Sequence, residues 1–230
     1  MRRTTPSYAV ICVATVLLGG VPSSVAPRAP VSVSGRVSLA ERGNRSAKDV
    51  GQSVVWLEAG GAGAIPPKHV SVLTEGKEFR PRVSVVPAGS TVVFPNNDPF
   101  NHNVFSVSQE GQFDLGLYGR GQSRQTKFNR PGVIRVYCNV HASMAAFVVV
   151  RDNPWFTQPS ADGSFTIPAV APGRYTLHAW HERAPEVIRE ITVDARGVDT
   201  LQLQLDARGY KFVEHLNKFG QPYSKGGARY

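Results

Sequence analysis

Cysteine and methionine are almost absent from this chain. Its 230 residues hold two of each, Cys12 and Cys138, Met1 and Met144. Long apolar runs are scarce as well. Only AVICVATVLLGGV, near the start, approaches one, and it is too short for a comfortable membrane span. No later segment is apolar enough to cross a bilayer. No stretch shows sustained helical periodicity, which excludes a bundle or a coiled coil. Several catalytic and binding signatures are missing too: C-x-x-C-H, H-E-x-x-H, a Gly-rich phosphate loop and the Ser nucleophile elbow. Acidic residues are outnumbered, 17 against 26 basic ones. The resulting basic surface favours acidic partners, but no nucleic-acid motif accompanies it.

The first 26 residues read as a secretory signal peptide: a basic start, the short apolar run, then small residues up to Ala26. An uncleaved membrane anchor is the alternative. Cleavage removes Cys12 and Met1, so Cys138 and Met144 become the only sulfur-bearing residues of the exported chain. The formal net charge of +9 falls to +7 with the loss of Arg2 and Arg3. A single cysteine in an exported protein cannot close an internal disulfide. It is a free thiol, an intermolecular partner or a metal ligand. The N-terminal pattern places the protein outside the cytoplasm, in the periplasm if the source is a Gram-negative bacterium, with no membrane span left after cleavage.

The rest reads as all-β. Short runs rich in Val, Thr and aromatics alternate with Gly/Pro turns, a spacing that suggests sandwiches. Expected strands are 31–39, 52–58, 69–73, 80–87, 90–95, 102–107, 124–128, 132–138, 145–150, 164–168, 174–180, 188–193 and 200–205. AGGAGAIPP (59–67) reads as a linker and NPWFTQPSAD (153–162) as a second boundary. The tail after Leu205 is basic and aromatic without a clear period. It is expected to lie partly extended over the body or to be disordered.

The outer segments carry G-R-V, V-V-W-L, D-G-S-F-T-I-P, P-G-R-Y-T-L and a closing apolar alternation. Together they resemble the carboxypeptidase-regulatory-like, or transthyretin-like, β-sandwich of the immunoglobulin-like class. The resemblance implies one discontinuous domain, 31–59 with 158–206. A second domain, 60–157 with its core at 68–152, would sit in a surface loop, and 207–230 would be a tail. Insertion at an exposed loop costs little when the inserted ends lie close together. Three small units in series are the alternative.

The chemistry concentrates in VYCNVHASMAAFVVV. Ile134, Val136 and Cys138 share one strand face by period-two alternation, and AAFVVV returns as the next strand. The loop that carries His141 and Met144 is therefore short and held at both ends. Upstream, His102 follows a turn built from NNDP and opens another strand. Two imidazoles, a thiolate and a weak thioether are the donor set of a blue-copper electron-transfer site.

N-N-x-x-F-x-H-N-V (Asn96 to Val104) and Y-C-x-x-H-x-x-M (Tyr137 to Met144) resemble the ligand regions of plastocyanins and amicyanins. Residues 68–152 thus look like a Greek-key cupredoxin. The resemblance implies one type 1 copper held by His102, Cys138, His141 and Met144, with Asn103 hydrogen-bonding near the cysteine. Two departures stand out. The residues around His141 lack the proline of amicyanins, and in longer-loop relatives the axial methionine falls at the position of Ala146. His141, in the exposed loop, is the ligand expected to reach the surface.

His178 and His181 lie three apart on a strand and face opposite sides, so they do not chelate together. Trp180 is expected to pack in the sandwich. His69 and His215 have no local partners, and Asp114 is expected to make a turn hydrogen bond within a loop. The chain is read as a non-enzyme, because the remaining histidines offer no cluster for a second, substrate-binding copper. The expected partner is a redox protein such as a c-type cytochrome or a periplasmic dehydrogenase, and the tail could dock an acidic one. A copper carrier using the same ligands, or a binding module without metal, are the other readings.

Overall fold

The computed structural model describes residues 29–45, 47–60 and 63–223. Residues 1–28, which include the segment expected to be a signal peptide, and the last seven residues lie outside this range. In chain order the strands are β1 (Val31–Ala40), β2 (Val54–Glu58), β3 (His69–Ser71), β4 (Leu73–Glu75), β5 (Glu78–Arg80), β6 (Val83–Pro87), β7 (Ser90–Pro95), β8 (His102–Ser106) and β9 (Phe113–Tyr118). They continue as β10 (Ser123–Phe128), β11 (Gly132–Cys138), β12 (Ala145–Arg151), β13 (Phe156–Thr157), β14 (Ser164–Val170), β15 (Gly173–His181), β16 (Ala184–Val193) and β17 (Val198–Asp206). Among the described residues no helix is long and apolar enough to cross a membrane.

The strands form an all-β protein of two sandwiches. β14-β1-β17 and β13-β2-β15-β16 are the sheets of one. They close over a core that joins Val33, Val37, Val55 and Leu57 to Phe165, Ile167, Leu177 and Leu205. Two glycines explain how the distant segments meet. Gly35 lies so close to β17 that an added Cβ would sit 2.3 Å from the Leu201 carbonyl oxygen. At Gly163 φ is +86°, and a Cβ would be 2.1 Å from the Val37 oxygen. Neither position tolerates a side chain.

The second sandwich packs β10-β7-β3 against β6-β12-β11-β8-β9. Its core holds Val92, Phe94, Val104, Phe128, Ile134, Val136, Cys138 and Met144. The inward face expected for β11 is therefore the one observed.

A third apolar cluster joins the sandwiches: Val54 and Trp56 of β2 meet Val83 of β6 and Phe147 and Val149 of β12, with Trp180 packed alongside. β12 is buried along almost its whole length. Both of its faces are covered, which is why AAFVVV shows no polar alternation. Arg151 and His178 both lie against the Trp56 ring, the guanidinium 4.4 Å and the imidazole 4.8 Å from its centroid. Arg82 pairs with Glu182 through two nitrogens and donates a 3.0 Å bond to the Ala145 carbonyl.

Two expectations change, and a third resolves to one of its alternatives. Asp114 lies in β9, a strand that FDLGLY hid because the burial of its apolar residues does not alternate. Phe156 and Thr157, expected in the inserted domain, pair with Trp56 and Val55 as the edge of the outer sheet. The tail, expected to lie partly extended over the body or to be disordered, takes the first course: it runs over the body to Tyr223, tied by hydrogen bonds and a ring stack. Trp56→Ala should cost about 3–5 kcal/mol, because it empties the seam between the sandwiches; urea unfolding of the purified variant checks this.

Candidate metal centre

β11 ends at Cys138 and β12 begins at Ala145, with Tyr137 paired to Ala145. Only six residues, 139–144, bridge them. The bridge closes on itself: Met144 N–H donates to the His141 carbonyl at 3.1 Å, and Cys138 N–H to the Met144 carbonyl at 3.2 Å. β8 pairs Val104 with Cys138 and so brings His102 alongside. Asn139 N–H donates to the Asn103 carbonyl at 2.8 Å.

These ladders gather the donors. His102 Nδ1 lies 3.4 Å and His141 Nδ1 3.7 Å from Cys138 Sγ. The three donor atoms lie within 4.8 Å of one another. His102, Cys138 and Met144 are buried and His141 is partly exposed, so His141 is the ligand that reaches toward solvent. Met144 shares the apolar core with Cys138. Ala146 is already paired with Val136 inside the β11–β12 ladder. The register thus adopts the short loop and places Met144, not residue 146, at the site.

Asp98 is the member that sequence reasoning missed. His102 Nε2 donates to its carboxylate at 2.8 Å. Burial raises the Asp98 carboxyl, but N–H bonds from Lys77 and Gly76 and the His102 ring outweigh it and hold it below its ordinary range. An ionised Asp98 fixes the proton of His102 on Nε2 and turns the Nδ1 lone pair toward the sulfur. That arrangement suits a metal ligand. The signal was present, an acid four residues before the histidine, but it read as turn chemistry. Asn96 builds that turn: it is buried, and its Nδ2 donates to the carbonyls of Phe100 and Tyr118.

Burial pushes the Cys138 thiol up, although backbone N–H groups of Asn103, Val140 and His141 aimed at the sulfur oppose the shift. Burial also lowers His102, whereas Asp98 raises it. His141 is lowered by burial, then by the like charges of His102 and Lys77. Two neutral imidazoles therefore face a thiol that ionises only when a cation takes the proton's place. This donor set suits copper in either oxidation state. His102, Cys138, His141 and Met144 cluster as a type 1 copper site. Asn103 precedes Val104, the partner of Cys138; its carbonyl accepts from Asn139 N–H, and its Nδ2 donates to Asp114 at 2.6 Å.

The other histidines separate. His178 stacks on Trp56 and bonds Glu186, while His181 is buried beside Asp49 on the opposite face. His69 is exposed. His215, without partners in the sequence around it, stacks on Tyr137 with ring centroids 4.3 Å apart.

The site predicts a pH dependence. At pH 7 the depressed histidines are already neutral and the raised thiol is protonated, so copper binding should release about one proton. Once the pH falls below the lowered histidine range the imidazoles must also give up protons, and the release should rise toward about three as affinity falls; calorimetry in buffers of different ionisation enthalpy reads the number. Asp98→Asn should weaken copper binding about 10–100-fold with the fold retained, as measured by chelator competition and circular dichroism.

Residues 152–201 match the family model of polysaccharide lyase family 4, domain II. Among solved structures, the copper-containing nitrite reductase of Thermus scotoductus is 29% identical at a TM-score of 0.35. That match covers 41% of this chain and 25% of the other. This chain thus spans about a quarter of that protein's length. An oxidised amicyanin variant is 22% identical at a TM-score of 0.34, over 36% of this chain and 81% of its own. The chloroplast plastocyanin of Fritillaria agrestis is 30% identical over 146 residues, 56% of this chain and 84% of that protein. By that similarity, and with a cupredoxin's two imidazoles, thiolate and thioether in place, the chain belongs to the plastocyanin family.

Proposed function

We propose that this protein is an exported type 1 copper protein that carries single electrons between redox partners. One observation carries the reading: two imidazole nitrogens and one thiol sulfur, all within 4.8 Å, held on the paired strands β8 and β11 and on the short loop that follows. Bound copper supplies a one-electron couple there. The chain holds the donors in one arrangement through Asp98, the β8–β11 ladder and the self-closed loop, so little needs to reorganise when the charge changes. A rigid, buried set suits electron exchange better than metal delivery, which needs ligands that open.

The partner is a redox protein, such as a c-type cytochrome or a periplasmic dehydrogenase, that approaches over His141. The charge of the tail contributes less to docking than its composition suggests. Lys218 is paired with Asp114 and Arg208 with Asp206. Export is supported by the basic, apolar and small-residue order of residues 1–26, and by the single cysteine of the chain beyond them. The outer sandwich, 31–59 with 158–206, is of the carboxypeptidase-regulatory-like kind in this reading. What supports that is the meeting of its G-R-V and D-G-S-F motifs at Gly163, whose carbonyl accepts from Val37 N–H at 2.8 Å.

The test is the visible spectrum of the chain from Arg28 after one equivalent of Cu(II), beside that of Cys138→Ser. An intense blue or green band that a mild reductant bleaches reversibly, and that the variant lacks, is expected. Copper bound without that band would indicate a copper carrier. A chain that takes up no copper would leave a binding module of two sandwiches.

A further inference from the structure

The tail does not wander over the surface. After β17 it leaves the outer sandwich, where Ala207 N–H donates to the Ala40 carbonyl at 3.0 Å, and crosses to the ligand end of the other sandwich. There the sequence N-K-F-G-Q folds a closed turn. Asn217 Oδ1 accepts from the N–H groups of Phe219 and Gln221, and Asn217 N–H donates to the Gln221 carbonyl at 2.8 Å. Gly220 supplies the positive φ of 76° that this turn needs. The turn returns the chain toward β11.

Three of its contacts fall on consecutive residues. The His215 ring stacks on Tyr137 at 4.3 Å and 20°. Tyr223 Oη donates to the carbonyl of Cys138 at 2.8 Å. Lys218 N–H donates to Asn139 Oδ1 at 2.9 Å. A fourth contact reaches the site from behind: Lys218 Nζ pairs at 2.6 Å with Asp114, the carboxylate that holds the Asn103 side chain. A strap that only stabilised the fold could rest anywhere along the sheet. This one rests on the cysteine ligand, on the residue before it and on the residue that opens the ligand loop.

We propose that the segment Tyr210–Tyr223 is a working part of the metal centre, with Tyr223 and Lys218 as positioning residues that set its reduction potential and stiffen its ligand loop. The inference rests on the copper reading above. A hydroxyl that donates to the Cys138 carbonyl draws electron density away from the residue that supplies the thiolate. It therefore favours the reduced, less positive centre, and its loss favours the oxidised one. The bond to Asn139 anchors the first residue of the loop, as Arg82 anchors Ala145 just beyond its last.

The experiment compares the full exported chain with Tyr223→Phe, which keeps the ring, and with a chain that stops after Gly209, which keeps the buried Ala207. Each is loaded with one equivalent of copper and equilibrated with a redox dye. Amide hydrogen exchange is followed on the metal-free proteins. For Tyr223→Phe the ratio of oxidised to reduced centre should rise about threefold or more, the scale of one hydrogen bond. The truncated chain should shift further. Its amides at 139–144 should exchange about tenfold faster or more, with those of β2 and β15 unchanged. An unchanged redox ratio in Tyr223→Phe, or unchanged loop exchange in a folded truncated chain, would overturn the proposal. If the truncated chain does not fold, Tyr223→Phe decides alone. If the parent chain binds no copper, the copper reading fails instead, and loop exchange in the metal-free proteins still tests the strap.

Discussion

Everything at the metal centre depends on where one residue ends its strand. Cys138 is the last residue of β11 and points into the apolar core. Such a place favours a neutral thiol, and burial does push this one up. A centre built there cannot rely on solvent to stabilise a thiolate. It relies on N–H groups aimed at the sulfur and on a cation brought by two imidazoles. The ladder to β8 delivers the first imidazole, and the six-residue loop to β12 delivers the second. The register of both pairings is in turn held by apolar residues with no alternative face to occupy.

That rigidity comes from both sandwiches. β12 and β2 are buried on both faces, and the seam of Val54, Trp56, Phe147 and Val149 leaves the two sheets little room to slide. Arg82 links Glu182 of the outer sandwich to the carbonyl of Ala145, one residue past Met144. An ion pair of this kind gains most from its low-dielectric surroundings when its geometry is fixed. Here the guanidinium also satisfies a backbone carbonyl that ends the ligand loop.

Much of this was legible in the sequence because it is periodic or local. Alternation in GVIRVYC gave the face of Cys138, and the spacing C-x-x-H-x-x-M gave a loop short enough to be held at both ends. The strand at 113–118 was hidden because it is an edge strand whose burial does not alternate: Phe113 and Leu115 are half-buried, Leu117 is exposed and Tyr118 is buried. Asp98 was hidden because its partner lies in the next element: an N-N-D-P turn looks the same whether its carboxylate faces solvent or an imidazole. The grip of the tail on β11 could not be read at all. It pairs residues 78 to 85 positions apart through single hydrogen bonds and one ring stack, and no periodicity marks such contacts.

A ligand loop must be stiff in both oxidation states, yet a loop of six residues has few atoms of its own with which to be stiff. It can borrow rigidity only through its ends. In this chain both ends are tied to segments of the outer sandwich that lie far away in sequence: Ala145 through Arg82 to Glu182, and Asn139 through Lys218 to the tail that continues β17. An inserted domain whose two connections merely returned to a surface loop would not gain this, because its ligand loop lies away from those connections. The gain comes from the outer chain continuing after its last strand and crossing back over the insertion. On this view the discontinuous fold is more than a tolerated insertion. The outer sandwich brackets the loop that carries His141 and Met144, and the metal centre is shared between two parts of the chain that sequence alone would treat as separate domains.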